Sequence, residues 1–182
     1  MSARSGPARR EINMKEKGSR RGRRGPEYRI RVAFRVPLEF AFAWCTDYTP
    51  QDGSLEGESY QRKIIERTPR RVIFEDLEET ASGWVWSRDI VTLRPPNRWH
   101  MDGVGNRRDV TAEYRLSRLS DGRTQLELRW WRRPKPPGKK IPRAQREEEA
   151  TRAWKRFAAA MERDYRRSRQ TQAASKHGKS RV

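Results

Sequence analysis

Cysteine is nearly missing from this chain. Cys45 is the only one among 182 residues, so no intramolecular disulfide can form. Histidine is almost as scarce, with two, and one Cys with two His cannot by themselves build a metal cluster. No apolar run approaches the ~18 residues of a membrane-spanning helix. The N-terminus is basic but lacks the apolar stretch of a signal peptide, so a cytoplasmic location is the expectation. No acid–base pair and no nucleophile flanked by a base can be read from the spacing. The sequence therefore nominates no catalytic residue, no metal site and no cofactor, and it points to a cavity or a docking surface more readily than to a reaction.

Acidic residues are scarce where the positive charge is densest. Residues 1–26 hold nine Lys or Arg against two acids, and residues 166–182 hold six against none, on a chain of net charge +19. Aromatic residues avoid the same two segments: all seven Trp, five Phe and five Tyr lie within residues 27–165. That division predicts a disordered basic arm over 1–26, one folded domain over 27–168 and a disordered basic tail over 169–182. Basic tails of this kind attract phosphate generically, so weak, salt-sensitive contact with nucleic acid or ribosomes is the second partner expectation. No zinc-finger, helix-turn-helix or RNP pattern accompanies them.

What is present is an ordered alternation of patterns. Apolar residues at 28, 30, 32, 34 and 36 interleave with Arg29, Arg31 and Arg35, which predicts a half-buried strand stopped by Pro37. Leu38–Thr46 is apolar on nearly all sides and reads as a short buried helix; Tyr48–Gly57 reads as a loop or broken helix. Strands are expected over Tyr60–Arg67, Arg71–Glu78, Trp84–Leu93, Arg98–Asp102, Asp109–Leu119 and Thr124–Trp131. Pro95-Pro96-Asn97, Gly103-Val104-Gly105 and Asp121-Gly122 supply turns. A Pro- and Lys-rich linker, Pro134–Pro142, precedes a helix over Arg143–Arg167. Ala150, Trp154, Phe157, Met161 and Tyr165 form one apolar stripe on that helix. A mostly antiparallel sheet of this size must bury a face, and the long helix is its obvious cover, giving an α+β fold.

Three stretches carry a family resemblance across roughly Tyr28–Arg167. The first strand runs into Pro37-Leu38-Glu39-Phe40-Ala41-Phe42. The strand pair Arg88-Asp89-Ile90-Val91-Thr92-Leu93 and Arg98-Trp99-His100-Met101-Asp102-Gly103 follows. The third stretch is Thr111-Ala112-Glu113-Tyr114-Arg115-Leu116 with Asp121–Leu128 and the terminal helix. In these the chain resembles the START-like, or helix-grip, superfamily, which includes polyketide cyclase-like and coenzyme Q-binding proteins. The resemblance implies a curved antiparallel sheet of six to seven strands wrapped round a long C-terminal helix. It also implies a cavity for a hydrophobic, lipid- or polyketide-like small molecule. It carries no shared catalytic set. Two alternatives come with it: a ribosome-associated interaction protein, and a cyclase- or aromatase-like enzyme with Asp89, His100 or Tyr114 aimed into the cavity.

Candidate wall residues are Trp86, Tyr114 and Trp130 on strands and Trp154, Phe157 and Met161 on the helix, each weighed against plain core packing. His100 alternates away from Trp99 and Met101 and is expected at the surface. Arg88 and Asp89 sit mid-strand, where either a cross-strand ion pair or an inward polar anchor is open. Cys45 reads as an inert buried thiol. Gly103-Val104-Gly105-Asn106 lacks the setting of a phosphate loop and reads as a turn.

Overall fold

The computed structural model describes residues 26–135 and 141–178, with side chains to residue 171 in the last helix. Its elements are β1 (Glu27–Phe34), α1 (Leu38–Cys45), α2 (Asp52–Glu56), β2 (Gln61–Arg67), β3 (Arg71–Thr80), β4 (Gly83–Arg94), β5 (Arg98–Gly105), β6 (Arg108–Arg118), β7 (Thr124–Pro134) and α3 (Arg143–Gly178). All seven strands join one antiparallel sheet in the order β1-β7-β6-β5-β4-β3-β2, so β1 and β2 are its edges. Hairpins of successive strands build this order directly. The one non-local pairing among the described residues is β1 against β7.

The expected period-two alternation sets the inner face. Tyr28, Ile30, Val32 and Phe34 are buried on β1, opposite Trp130, Leu128, Leu126 and Thr124 of β7. Phe74, Val91, Trp99, Ala112 and Leu116 continue that face across the sheet. Thr124 is fully buried because its Oγ1 donates to the Val36 carbonyl at 2.8 Å, which fixes the chain where it leaves β1 for α1. Pro37 precedes the first helical residue, where a missing N–H costs nothing, and its carbonyl accepts from Ala41 N at 2.9 Å.

Helix α3 is bound to the sheet edge at two points. Glu147 accepts from the Arg29 amide at 2.7 Å, and Glu162 accepts from the Arg35 amide at 2.8 Å. Fifteen helical residues rise about 22 Å and six extended residues about 20 Å, so the helix runs along β1 in step with it. Both contacts satisfy edge amides that would otherwise be free to pair with another chain. The apolar stripe then faces inward, with Met161 fully buried.

Three boundaries differ from the sequence expectation. The segment Gly103-Val104-Gly105 is strand, not turn: Gly103 pairs with Asp89 and Val110, and the turn falls on Asn106 and Arg107. Strand β7 runs past Trp131 to Pro134 because Arg133 binds Asp109 of β6 and Lys135 N donates to the Arg107 carbonyl. Helix α3 continues past residue 168, where a loose tail was expected. Residues 169–177 contain no Pro or Gly to stop it, and Gly178 is its last residue. The expected disordered arm, residues 136–140 of the linker, and residues 179–182 lie outside the described residues, and with them most of the positive charge on which nucleic-acid or ribosome contact was to rest. No helix among the described residues is long and apolar enough to cross a membrane.

Because each carboxylate satisfies a separate backbone amide, Glu147→Ala and Glu162→Ala should each cost about 1 kcal/mol, and the pair should be close to additive. Urea unfolding of the two single variants and the double variant measures this.

Candidate functional site

A cavity of about 240 Å³ lies between the inner face of the sheet, α3 and the α1–α2 segment. This is just under the roughly 300–1,000 Å³ usual for small-molecule pockets. Its aromatic wall is built by cross-strand stacking. Trp99 of β5 and Tyr114 of β6 are register partners, and their rings stack at 4.7 Å and 6°. Trp154 reaches Tyr114 at 6.2 Å and Phe157 at 5.2 Å, and Trp44 of α1 meets Phe157 edge-on at 6.0 Å. Trp44 is held there by its indole N–H, which donates to Asp164 at 3.0 Å. Arg156 clamps α2 to α3 by donating to the Leu55 and Glu56 carbonyls at 2.6 and 2.8 Å.

The opposite wall is charged. Arg62 of β2 has a side chain only 4% exposed. It donates to both Asp76 oxygens at 2.8 Å and to Asp52 at 2.6 Å, and it lies 4.1 Å over the Phe74 ring. Two carboxylates supply this guanidinium with charge-assisted partners on several of its N–H groups, as burial requires. Tyr48 packs on Phe74 at 5.0 Å from a backbone with φ of 46°, a left-handed conformation that costs a bulky residue energy and that this packing holds in place. Glu56 also borders this wall.

Asp89 is the buried carboxylate in this cavity that has no cation paired to it among the described residues. It is 7% exposed and accepts one hydrogen bond, from Ser87 Oγ at 2.8 Å. Burial pushes it up to about 6, opposed by that bond, with Asp76 raising it further and Arg62 and Arg108 lowering it from a distance. The sequence makes room for it: Gly103 is its partner on β5, and a Cβ there would collide with Asp89 Oδ1. Asp89 and Arg88 divide the two roles left open between them. Asp89 faces inward, while Arg88 pairs with Glu75 on the outer face.

Of the six predicted wall residues, Tyr114, Trp154 and Phe157 stand together around the cavity. Trp86 only borders it. Val85, Ser87 and Asp89 point inward, so Trp86 alternates outward to pair with Leu77 and is 45% exposed. Trp130 stacks on Tyr28 at 5.2 Å, and Met161 is fully buried in the core; neither is part of the cavity wall. His100 sits on the outer face with its Nε2 2.8 Å from Asp102, as expected of a surface histidine. Cys45 borders the cavity, but burial raises its thiol far above neutral pH, with Asp47 and Asp52 adding to the shift. Sequence reasoning missed Tyr48, Asp52, Glu56, Arg62 and Asp76. Among the described residues, no group of His, Cys, Asp and Glu is placed to hold a metal.

No protein-family model matches the chain, and no curated protein matches it in sequence. Solved structures do match its fold. A protein from Thermus thermophilus aligns with a TM-score of 0.58 at 12% identity, over 75% of this chain and 97% of its own. The Zhui aromatase/cyclase from a Streptomyces species aligns at 0.55 and 14%, over 78% and 94%. A START superfamily protein from Mycobacterium smegmatis aligns at 0.55 and 15%, over 76% and 95%. The chain has the START-like helix-grip fold. At these identities the likeness carries the fold alone, and ligand and chemistry rest on this chain's own residues.

The environment of Asp89 has two measurable consequences. Its folded pKa lies above the unfolded one, so its contribution is fully present below about pH 4 and is lost as pH rises through about 6. Asp89→Asn should therefore stabilise the protein at pH 8 by on the order of 2–3 kcal/mol, and by little at pH 4. Urea unfolding of both proteins across that range tests the sign. Gly103→Ala should cost about 2 kcal/mol or more through the clash with Asp89, and most of that should vanish in an Asp89→Ala background. A double-mutant cycle checks it.

Proposed function

We propose that this chain binds a hydrophobic small molecule, lipid- or polyketide-like, in the cavity between its sheet and α3. The observation that carries this reading is the aromatic wall of Trp99, Tyr114, Trp154 and Phe157 standing beside a buried Asp89 that has no paired cation among the described residues. Most small-molecule sites combine such a wall with a few placed polar groups. Burying on the order of 300 Å² of apolar ligand surface contributes roughly 7 kcal/mol before association costs are subtracted. The fold neighbours, which include an aromatase/cyclase and a START superfamily protein, support ligand binding at this coarse level.

A second reading, a cyclase- or aromatase-like enzyme, draws on one specific observation. Asp89, raised by burial to about 6, and Tyr114 line the same cavity, so an acid–base group near neutral pH faces any occupant. His100, on the outer face, takes no part in it.

Native mass spectrometry of the full chain purified from its own cells should reveal a discrete added mass on the order of a few hundred daltons. Met101→Trp, which adds volume at the cavity wall, should abolish that mass and weaken Nile red binding about tenfold or more while leaving the near-ultraviolet circular dichroism unchanged. Wild-type protein that carries no added mass and does not bind Nile red would overturn the reading.

A further inference from the structure

One side-chain polar atom among the described residues is buried with no hydrogen-bond partner: Nε of Arg132. Arg132 lies near the end of β7 opposite Val110, which lines the cavity. Arg108, two residues before Val110 on β6, shares that inner face and itself lines the cavity. Such a diagonal places the two backbone positions roughly 7–8 Å apart, within reach of two long side chains. The third member is Arg146, in the first turn of α3. Its Nη1 is a long 3.7 Å from Glu149, its only ion-pair partner among the described residues, and its side chain is 23% exposed.

Among the described residues, the long contact from Arg146 to Glu149 is the one ion pair that these three guanidiniums make. Among the described residues neither Arg108 nor Arg132 forms an ion pair. Burial depresses Arg132 to about 10, and Arg108 and Arg146 depress it further, while Glu58 and Tyr28 oppose this from a distance without bonding to it. Elsewhere this chain treats buried cations differently. Arg62, the buried cation on the other wall, receives two carboxylates. A half-buried cation with a free Nε beside two like charges costs stability unless something anionic completes it. The amino-terminal end of α3 adds its positive dipole at the same place.

We propose that Arg108, Arg132 and Arg146 bind the anionic oxygen head group, a carboxylate or a phosphate, of a ligand whose apolar part occupies the cavity. This rests on the cavity-binding reading above. Guanidinium forks suit both head groups, since each offers two oxygens to paired N–H donors. The acidic wall formed by Asp52, Asp76 and Asp89 repels the same head group, which fixes the direction in which an amphiphile enters.

The test is calorimetric titration of the full chain, at one ionic strength, with decanoate, decyl phosphate, decanol and inorganic phosphate. Decanoate and decyl phosphate should each bind about tenfold or more tightly than decanol, the fold-change that charge-assisted hydrogen bonds provide. Arg132→Met should remove most of that preference and leave decanol binding unchanged. The variant keeps the aliphatic stem and deletes an uncompensated charge, so it should fold at least as stably as the parent; Arg108→Met provides a second variant. Equal affinity for decanol and the two anions would sink the head-group site while leaving the cavity reading intact. An anion preference that survives both substitutions would also sink it, placing the attraction on the chain's diffuse positive charge. Inorganic phosphate bound through Arg132 with decanol unbound would keep the anion site and sink the cavity reading. No binding of any of the four would sink both.

Discussion

Seven strands about 4.8 Å apart make a sheet roughly 29 Å across, whereas one helix with its side chains covers about 10–12 Å. The hydrogen bonds from the Arg29 and Arg35 amides to Glu147 and Glu162 decide which part of the inner face α3 covers. They hold the helix against β1, at one edge, and leave the inner face towards β2–β5 without it. The short helices α1 and α2 are all that remain to roof that part. They are too small to fill it, so a cavity follows from where the helix is fastened. The clamp from Arg156 to α2 and the bond from Trp44 to Asp164 hold the roof on without closing the space beneath.

The same geometry explains why charge can sit inside. Under α3 the face is apolar, and Met161, Leu116 and Leu126 exclude water completely. Away from α3, apolar side chains would face a void, and polar ones can be satisfied by one another. Arg62 with Asp52 and Asp76 is that solution on β2 and β3: a closed network whose breaking would strand a buried charge. Asp89 departs from it, because among the described residues only Ser87 answers its charge, and Gly103 exists in a strand, where glycine is otherwise weakening, to give the carboxylate space. A strand glycine committed to an incompletely paired acid is hard to explain by packing alone.

The fold was legible because its signals are local. Period-two alternation, turn residues and one amphipathic stripe placed every strand within a few residues, and the long helix by its start at Arg143, though it runs eleven residues past the expected end at Arg167. The exceptions had physical causes: Gly103 and Gly105 looked like a turn because the carboxylate that needs Gly103 lies on another strand. The site was legible only in part. Tyr114, Trp154 and Phe157 could be found from periodicity, but Trp86 could not be placed, since Trp84–Leu93 carries apolar residues on both faces and the register to Leu77 decides the question. Trp130 and Met161 share the correct face yet sit under the covered part of the sheet, a distinction set by where the helix is tied. Arg62 and Asp76 carried a usable signal, because each alternates in step with an inward apolar neighbour, Ile64 and Phe74 respectively, so opposite charges on paired strands must meet inside.

Charge across the cavity is therefore separated rather than balanced. Acids gather towards β2, β3 and α2, where the single charge of Arg62 is shared between Asp52 and Asp76. Arginines gather towards β6, β7 and the start of α3, where no carboxylate closes on Arg132 among the described residues. Sidewise pairing between the two walls would have been the less costly arrangement for a sealed core, and Glu58 stands near enough to Arg132 to be felt without bonding to it. A core under selection for stability alone tends to remove such charges or pair them. Among the described residues, an acid without a paired cation on one side, Arg108 and Arg132 without a paired anion on the other, and stacked aromatic rings beside them favour an occupant with an apolar body and a polar end. For the proposed occupant, the aromatic wall would set how much of it is buried, and the two charged walls which way round it lies.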